Sequence, residues 1–179
     1  MSVKVYLHIH TKYSFDSFPE PKTIIKLASK RGLSAIAITD HDTIKGSLVA
    51  MQEASSVKDL VVVPGIEVKT NLGGIIGLYI QDEIKAKEFY RVIEEIKCQD
   101  GLVVLPHPYN GHGEMEELGS CVDVIEALNG RCSHTKNEKA LKLADNLDKP
   151  AIACSDSHLS FEIGHVETRF YSGPCSLKN

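Results

Sequence analysis

The sequence predicts an α/β fold in which a largely parallel sheet curls into a small, irregular barrel. Three observations carry this expectation. Short apolar, β-branched runs recur at 3–9, 34–39, 60–63, 75–80, 102–105, 122–128 and 151–154. Stretches of helical period separate several of them, and histidines and carboxylates gather at the ends of the runs. An open doubly wound sheet is the alternative arrangement of the same elements.

Runs this short and this apolar read as buried strands. The first, 3–9, opens the chain, and Gly32, behind the basic pair Lys30 and Arg31, closes a helix before the second. The fourth run follows residues 71–74 so closely that it is expected to form a hairpin with the third, and Gly73-Gly74 reads as the turn. A helix carrying Phe89, Val92, Ile93 and Ile96 precedes the fifth run. Another, opening near Ser133 and carrying Ala140, Leu143, Ala144 and Leu147, is closed by Pro150 before the seventh. Seven strands in 179 residues close a small barrel more naturally than an eight-fold one, and the length argues for a single domain spanning residues 1–179.

Composition removes several classes of function. Twenty Lys and Arg against 24 Asp and Glu give a net charge of −4, so no excess of positive charge exists to grip a duplex backbone; a short single strand is still admissible. No apolar run reaches membrane-spanning length, and the N-terminus enters a strand without a leader pattern, so a cytoplasmic protein is expected. Five cysteines, at 98, 121, 132, 154 and 175, lack zinc-ribbon spacing and read as reduced thiols, with Cys121 and Cys154 as small buried hydrophobes.

Chemistry gathers at the strand ends. His8 and His10 end the first run, Asp40, His41 and Asp42 the second, and Glu67 follows the third. His107 follows the fifth, Glu126 lies in the sixth, and Asp156 and His158 follow the seventh. In βα barrels, loops at the C-terminal strand ends converge, so these residues can meet. His8 and His10 are two apart, as are Asp156 and His158, and that spacing points each pair to one face of an extended chain. Imidazole and carboxylate are natural ligands of divalent ions. Any one of these histidines alone reads equally well as a hydrogen-bonded barrel-end residue; their joint placement argues for a metal site.

The segments His8-Ile-His10-Thr-Lys-Tyr-Ser-Phe-Asp16-Ser, Ile38-Thr-Asp-His41-Asp, Pro64-Gly-Ile-Glu67, Pro106-His107-Pro and Ser155-Asp156-Ser-His158 resemble, in order, the successive motifs of the polymerase and histidinol phosphatase (PHP) family. The resemblance spans almost the entire chain. It implies a distorted (β/α)7 TIM-like barrel and two or three divalent ions, zinc, manganese or iron, that serve phosphoester hydrolysis by activated water. Carried over residue by residue, it implies that His8, His10, Glu67 and Asp156 hold one ion, that Glu67 bridges to a second, and that Asp16, His41, His158 and His107 complete the coordination. Asp16, Glu67 and His107 are the implied catalytic set, acting through water.

One departure stands out. Family members commonly place a His or Cys near the sixth strand, where this chain has Glu126. Either Glu126 replaces that ligand, or His112 or His134 supplies it, or the third ion is absent or weakly held; Glu126 fits the position best and fits a supporting role behind the ligands equally well. Three ionised carboxylates at the barrel mouth would be costly without cations. Asp40 is expected to accept a ligand histidine's far N–H or to cap a helix, and Asp42 fits the cap better.

No serine-nucleophile elbow or Walker loop is present. Arg131 and Lys12 are candidate phosphate contacts, with solvated surface charge as the ordinary alternative, and His134 is a third candidate at a helix start; His165 reads as a surface residue. The expected substrate is a small phosphorylated metabolite, a nucleotide or an oligonucleotide end. Competing expectations are a non-catalytic interaction subunit of a nucleic-acid-processing complex and an amidohydrolase. Glu67 is read as following a Pro64-Gly65 turn at the end of the third run, and Glu67→Gln is expected to disturb metal and turnover where Glu114→Gln changes little.

Overall fold

Eight strands and five α-helices follow one another through residues 2–111 and 115–171, the part of the chain that the computed structural model describes; His112, Glu114 and Cys175 lie outside it. The order is β1 (Ser2–Tyr6), α1 (Pro21–Lys30), β2 (Ala35–Ile38), α2 (Lys45–Ala54), β3 (Val61–Thr70) and β4 (Gly73–Leu78). Then come α3 (Phe89–Lys97), β5 (Leu102–Leu105), α4 (Met115–Ser120), β6 (Val124–Asn129), α5 (His134–Asn146), β7 (Ala151–Cys154), a 3₁₀ turn (Ser160–Glu162) and β8 (Thr168–Tyr171).

The sheet runs β7-β6-β5-β4-β3-β2-β1-β8 and bends into a nearly closed barrel. At the C-terminal strand ends it closes directly: Ile9 bridges Ser157, and the His10 N–H donates to the Ser157 carbonyl at 2.9 Å. At the opposite end β8 wedges in, antiparallel to β1, and reaches β7 through Thr168 Oγ1, which accepts from the Ala153 N–H at 2.8 Å and donates to its carbonyl at 2.9 Å. All seven anticipated strands are present.

Three expectations need correction. The eighth strand was not foreseen, because four residues near the end of the chain carry no apolar run. Pro64-Gly65 is not a turn but lies inside β3, so Glu67 sits within a ten-residue strand. Gly65 is squeezed there: a Cβ would come within 3.0 Å of the Ile38 carbonyl and 3.1 Å of the Gly77 carbonyl. The sheet is also less parallel than the βα alternation implies, since β4 runs against both β3 and β5. A tight turn joins β3 to β4 with no helix between them; Gly73 takes φ 123°, and the Thr70 hydroxyl donates to its carbonyl at 2.6 Å.

Both faces of the strands are buried, which is why they read as unbroken apolar runs. Ala37, Val63, Ile76, Val104, Ile152 and Cys154 fill the barrel interior. Their strand neighbours point outward, Ile36, Ile38 and Val62 to a core shared with α1 and α2 through Ile24, Ile25 and Ala50. Ile66, Val103, Leu105 and Ile125 meet Phe89, Val92, Ile96 and Leu143 from α3 and α5. Each such side chain contributes about 1.5–3 kcal/mol on burial, so this coat holds the strand ends, and the polar residues on them, in fixed register.

Candidate metal centre

The segment after β1 supplies two imidazoles to one side of the barrel mouth, while Ile9 between them turns into the core. His8 Nδ1 lies 3.0 Å from Glu126 Oε1, a carboxylate that can only accept, so Nδ1 carries the proton and Nε2 faces the mouth. His10 Nδ1 meets Ser14 Oγ at 3.1 Å, and Ser14 Oγ in turn donates to Asp40 Oδ1 at 2.8 Å. Its Nε2 therefore also faces the mouth. His158 repeats the arrangement, with Nδ1 2.9 Å from the Asp156 carbonyl. Three rings thus present Nε2 lone pairs inward.

Two carboxylates stand among them. Glu67 Oε2 lies 3.2 Å from His8 Nε2, 3.3 Å from His10 Nε2 and 3.4 Å from His41 Nδ1, whereas Oε1 lies 3.1 Å from His107 Nε2. One carboxylate faces two sets of nitrogens. Asp156 Oδ1 is 3.3 Å from His10 Nε2 and 3.4 Å from both His8 Nε2 and His158 Nδ1. Asp16 Oδ2, more exposed, sits 3.4 Å from His41 Nε2 and 3.3 Å from His158 Nε2.

This donor set fits divalent cations. Asp156 Oδ1 is buried without a hydrogen-bond partner, and His8 Nε2 and His10 Nε2 face each other at 3.0 Å, two lone pairs that need positive charge between them. Among the described residues, three overlapping sets have ligand atoms within 4.8 Å of one another: His10, His41 and His158; His8, His107 and Asp156; His8, His10 and Glu67.

Electrostatics make the same point. Burial alone would push His8 down, but Asp156, Glu126 and Glu67 together outweigh it and hold the ring well above its ordinary value. Burial against Asp156 and Glu67 ends the same way at His10, and burial against Glu67 does so at His107. Glu67 and Asp156 are pushed up by burial, yet His8 and His10 hold both below the usual carboxylate range. The carboxylates raise the imidazoles and the imidazoles lower the carboxylates, so the buried cluster favours positive charge at its centre. At His41 burial dominates and lowers the ring.

Local backbone serves the cluster. His107 and Asp156 adopt positive φ, 31° and 55°, a conformation that costs a non-glycine residue about 1–3 kcal/mol and aims both side chains inward. Gly74, inside β4 rather than in the turn, leaves room for Glu67: a Cβ would stand 2.8 Å from Oε1. At Gly46 in α2 a Cβ would lie 1.8 Å from Asp40 Oδ2, so the Asp40 carboxylate depends on that glycine.

Eight anticipated residues, His8, His10, Asp16, His41, Glu67, His107, Asp156 and His158, come together. Glu126 stands behind them: Oε1 engages His8, and Oε2 accepts from the His107 N–H at 2.7 Å and Asn129 Nδ2 at 2.9 Å. Asp40 supports His10 through Ser14 rather than a ring directly, and neither it nor Asp42 caps α2, whose N-terminal flank is Ile44. Asp42 Oδ1 instead accepts from the Lys69 N–H at 3.2 Å.

A cavity of about 500 Å³ opens over the cluster, lined by Asp16, His41, Glu67, Asp156 and His158 and by Arg131. Arg131 also pairs with Glu162 at 3.3 Å. Lys12 does not line it and pairs with Glu20 at 2.9 Å. His134 is exposed, pairs with Glu138 at 3.6 Å, and borders a separate groove beside β7 and β8. Ser14, Phe15 and Lys69 were not singled out from the sequence, and Gly74 was read only as a turn; Ser14 and Phe15, inside the first motif, are the two whose position offered a signal. Among the described residues no helix is long and apolar enough to cross a membrane, and Cys98, Cys121, Cys132 and Cys154 are free thiols, Cys154 buried and Cys121 exposed.

The family profile described as the PHP domain matches residues 6–160. An uncharacterized protein of Methanocaldococcus jannaschii is 42% identical over 119 residues, 60% of this chain and 69% of that protein. Another from the same organism is 30% identical over 180 residues, 94% of this chain and 70% of that one. Among solved structures, a two-domain protein containing a predicted PHP-like metal-dependent phosphoesterase from Bacteroides vulgatus gives a TM-score of 0.77 at 18% identity, over 90% of this chain and 54% of that chain. An amidohydrolase from Chromobacterium violaceum gives 0.75 at 18%, over 92% and 91%. A lesion-specific endonuclease from Pyrococcus furiosus gives 0.70 at 16%, over 96% and 52%, so this chain spans about half the length of the first and third structures. At these identities the likeness is one of fold.

Proposed function

Because the chain belongs to the PHP domain family, we propose that it is a metal-dependent hydrolase of phosphate esters working as one domain over residues 1–179. The carrying observation is Glu67, whose two oxygens face separate sets of imidazoles, Oε2 toward His8, His10 and His41 and Oε1 toward His107. That disposition suits a carboxylate shared between two cations. His8, His10, Glu67 and Asp156 would hold one, Glu67 and His107 a second, and His41, Asp16 and His158 a third where three are bound; zinc, manganese and iron all suit this donor set. Bound divalent ions supply positive charge to a phosphoryl group and bring water into its nucleophilic form near neutral pH.

The chain's own residues do the rest. Glu126, Ser14 and the Asp156 carbonyl fix the rings of His8, His10 and His158, so that no reorganisation is needed when charge develops in front of them. Arg131 lines the cavity and is placed to take a phosphate oxygen, at the cost of its exposed pairing with Glu162. Asp16, the most open carboxylate of the cluster, stands at the cavity mouth beside His41 and His158.

Elemental analysis of the purified protein, with turnover of a phosphomonoester, a dinucleotide and a cyclic amide before and after chelation, tests this reading. Bound Zn, Mn or Fe of at least about one equivalent and phosphoester turnover abolished by chelation are expected. Turnover of the cyclic amide alone would favour the amidohydrolase reading. Metal without any turnover would favour a non-catalytic subunit, and chelator-insensitive phosphoester hydrolysis would contradict the mechanism.

A further inference from the structure

Phe15 is 89% exposed, an unusual state for a phenyl ring on the rim of a functional cavity. It is not stray surface. Its ring stacks on His41 with centroids 5.2 Å apart and planes 26° from parallel, and it precedes Asp16, whose Oδ2 reaches both His41 and His158. Phe18, on the same loop, is also exposed at 77% but does not line the cavity. One face of Phe15 is therefore set by a member of the cluster, and the rest of the ring stands open one side chain away from where a phosphate would sit.

We propose that Phe15 is the platform on which the base of a nucleotide stacks while its phosphate lies at the cluster, an inference that rests on the phosphoester reading above. A nucleotide separates an anionic phosphate from a flat, apolar ring by a single sugar, and the cavity presents the same two chemistries in the same order. An aliphatic phosphate would leave the ring in water. A planar base gains the π-face contact that every nucleobase offers. Lys69, Thr70, Asn71 and Asn110 line the same cavity and bring polar groups within it for a base edge or sugar hydroxyl.

The test is the ratio of kcat/KM for AMP to that for glycerol 2-phosphate, measured on the metal-loaded wild type and on Phe15→Ala, Phe15→Trp and Phe18→Ala. The proposal expects the ratio to fall about ten-fold in Phe15→Ala, mainly through KM for AMP, a factor equivalent to about 1.4 kcal/mol and within the range of base stacking on an aromatic side chain. Phe15→Trp should retain the ratio, and so should Phe18→Ala. An unchanged ratio in Phe15→Ala, or an equal loss on both substrates, would overturn the platform and leave Phe15 as a prop for His41. If the wild type hydrolyses neither ester, the phosphoester reading fails by itself, and calorimetric binding decides the platform separately. Tighter binding of AMP than of glycerol 2-phosphate, lost about ten-fold in Phe15→Ala, supports it; equal binding in both proteins refutes it. The ring is exposed, so folding is not at stake in any of these variants.

Discussion

The imidazoles of His8 and His10 meet at the same spot but are held from behind in different ways. His8 is held by a carboxylate directly, Glu126 on β6, reached across the barrel from 118 residues away. His10 is held by a hydroxyl, Ser14 on its own loop, and only through it by the Asp40 carboxylate. A buried carboxylate against Nδ1 makes His8 the more basic ring of the two, and losing it would leave a buried N–H without an acceptor. A neutral hydroxyl orients its ring with less effect on basicity. The first histidine thus depends on a carboxylate 118 residues away, and the second on a hydroxyl of its own loop that Asp40 holds in place.

The largest expected effect bypasses this contrast by removing the group that both rings face. Glu67→Gln keeps the shape of the side chain but halves its capacity to serve two cations, so metal stoichiometry should fall and turnover drop at least about 10²-fold with the circular dichroism spectrum unchanged. Full metal content and near-normal turnover would remove Glu67 from the bridging role.

Next in size, Glu126→Gln should weaken metal affinity by about 10²-fold, the upper end for a group behind a ligand. Ser14→Ala should cost about ten-fold, because the Asp40 carboxylate stays in place and a water can take the hydroxyl's position. Metal titration against a competing chelator reads both. The contrast fails if the two losses are equal, and it reverses if Ser14→Ala is the worse.

Much of this was legible before any coordinates. The seven apolar runs and the polar residues at their ends pointed to the barrel and to seven members of the cluster, because strand ends and i, i+2 spacing are local properties; Asp16, in the loop after the first run, came only from the resemblance of the first motif. What required the fold is equally specific. Glu126 could not be assigned between ligand and support, since that depends on which atom of His8 it meets across the barrel. Pro64-Gly65 looked like a turn, yet pairing with β2 on one side and β4 on the other pulls it straight. Ser14 is one serine among many until His10 and Asp40 close on it. Lys12 and His134 are near the site in sequence, but their ion pairs with Glu20 and Glu138 lie away from the cavity.

The smallest expected effect follows from that last point. Lys12→Ala removes an exposed ion pair outside the cavity and should leave phosphoester turnover within about two-fold and thermal stability unchanged. A ten-fold rise in KM would return Lys12 to the substrate site.

The most direct test of the central claim, that Glu67 joins two sets of imidazoles around separate cations, is anomalous diffraction from crystals of the zinc-loaded protein. The expected result is at least two peaks, one about 2.0–2.1 Å from His8 Nε2 and His10 Nε2 and another at the same distance from His107 Nε2, each beside a different oxygen of Glu67. A single peak that Glu67 does not touch, or ions bound only outside this cluster, would contradict it.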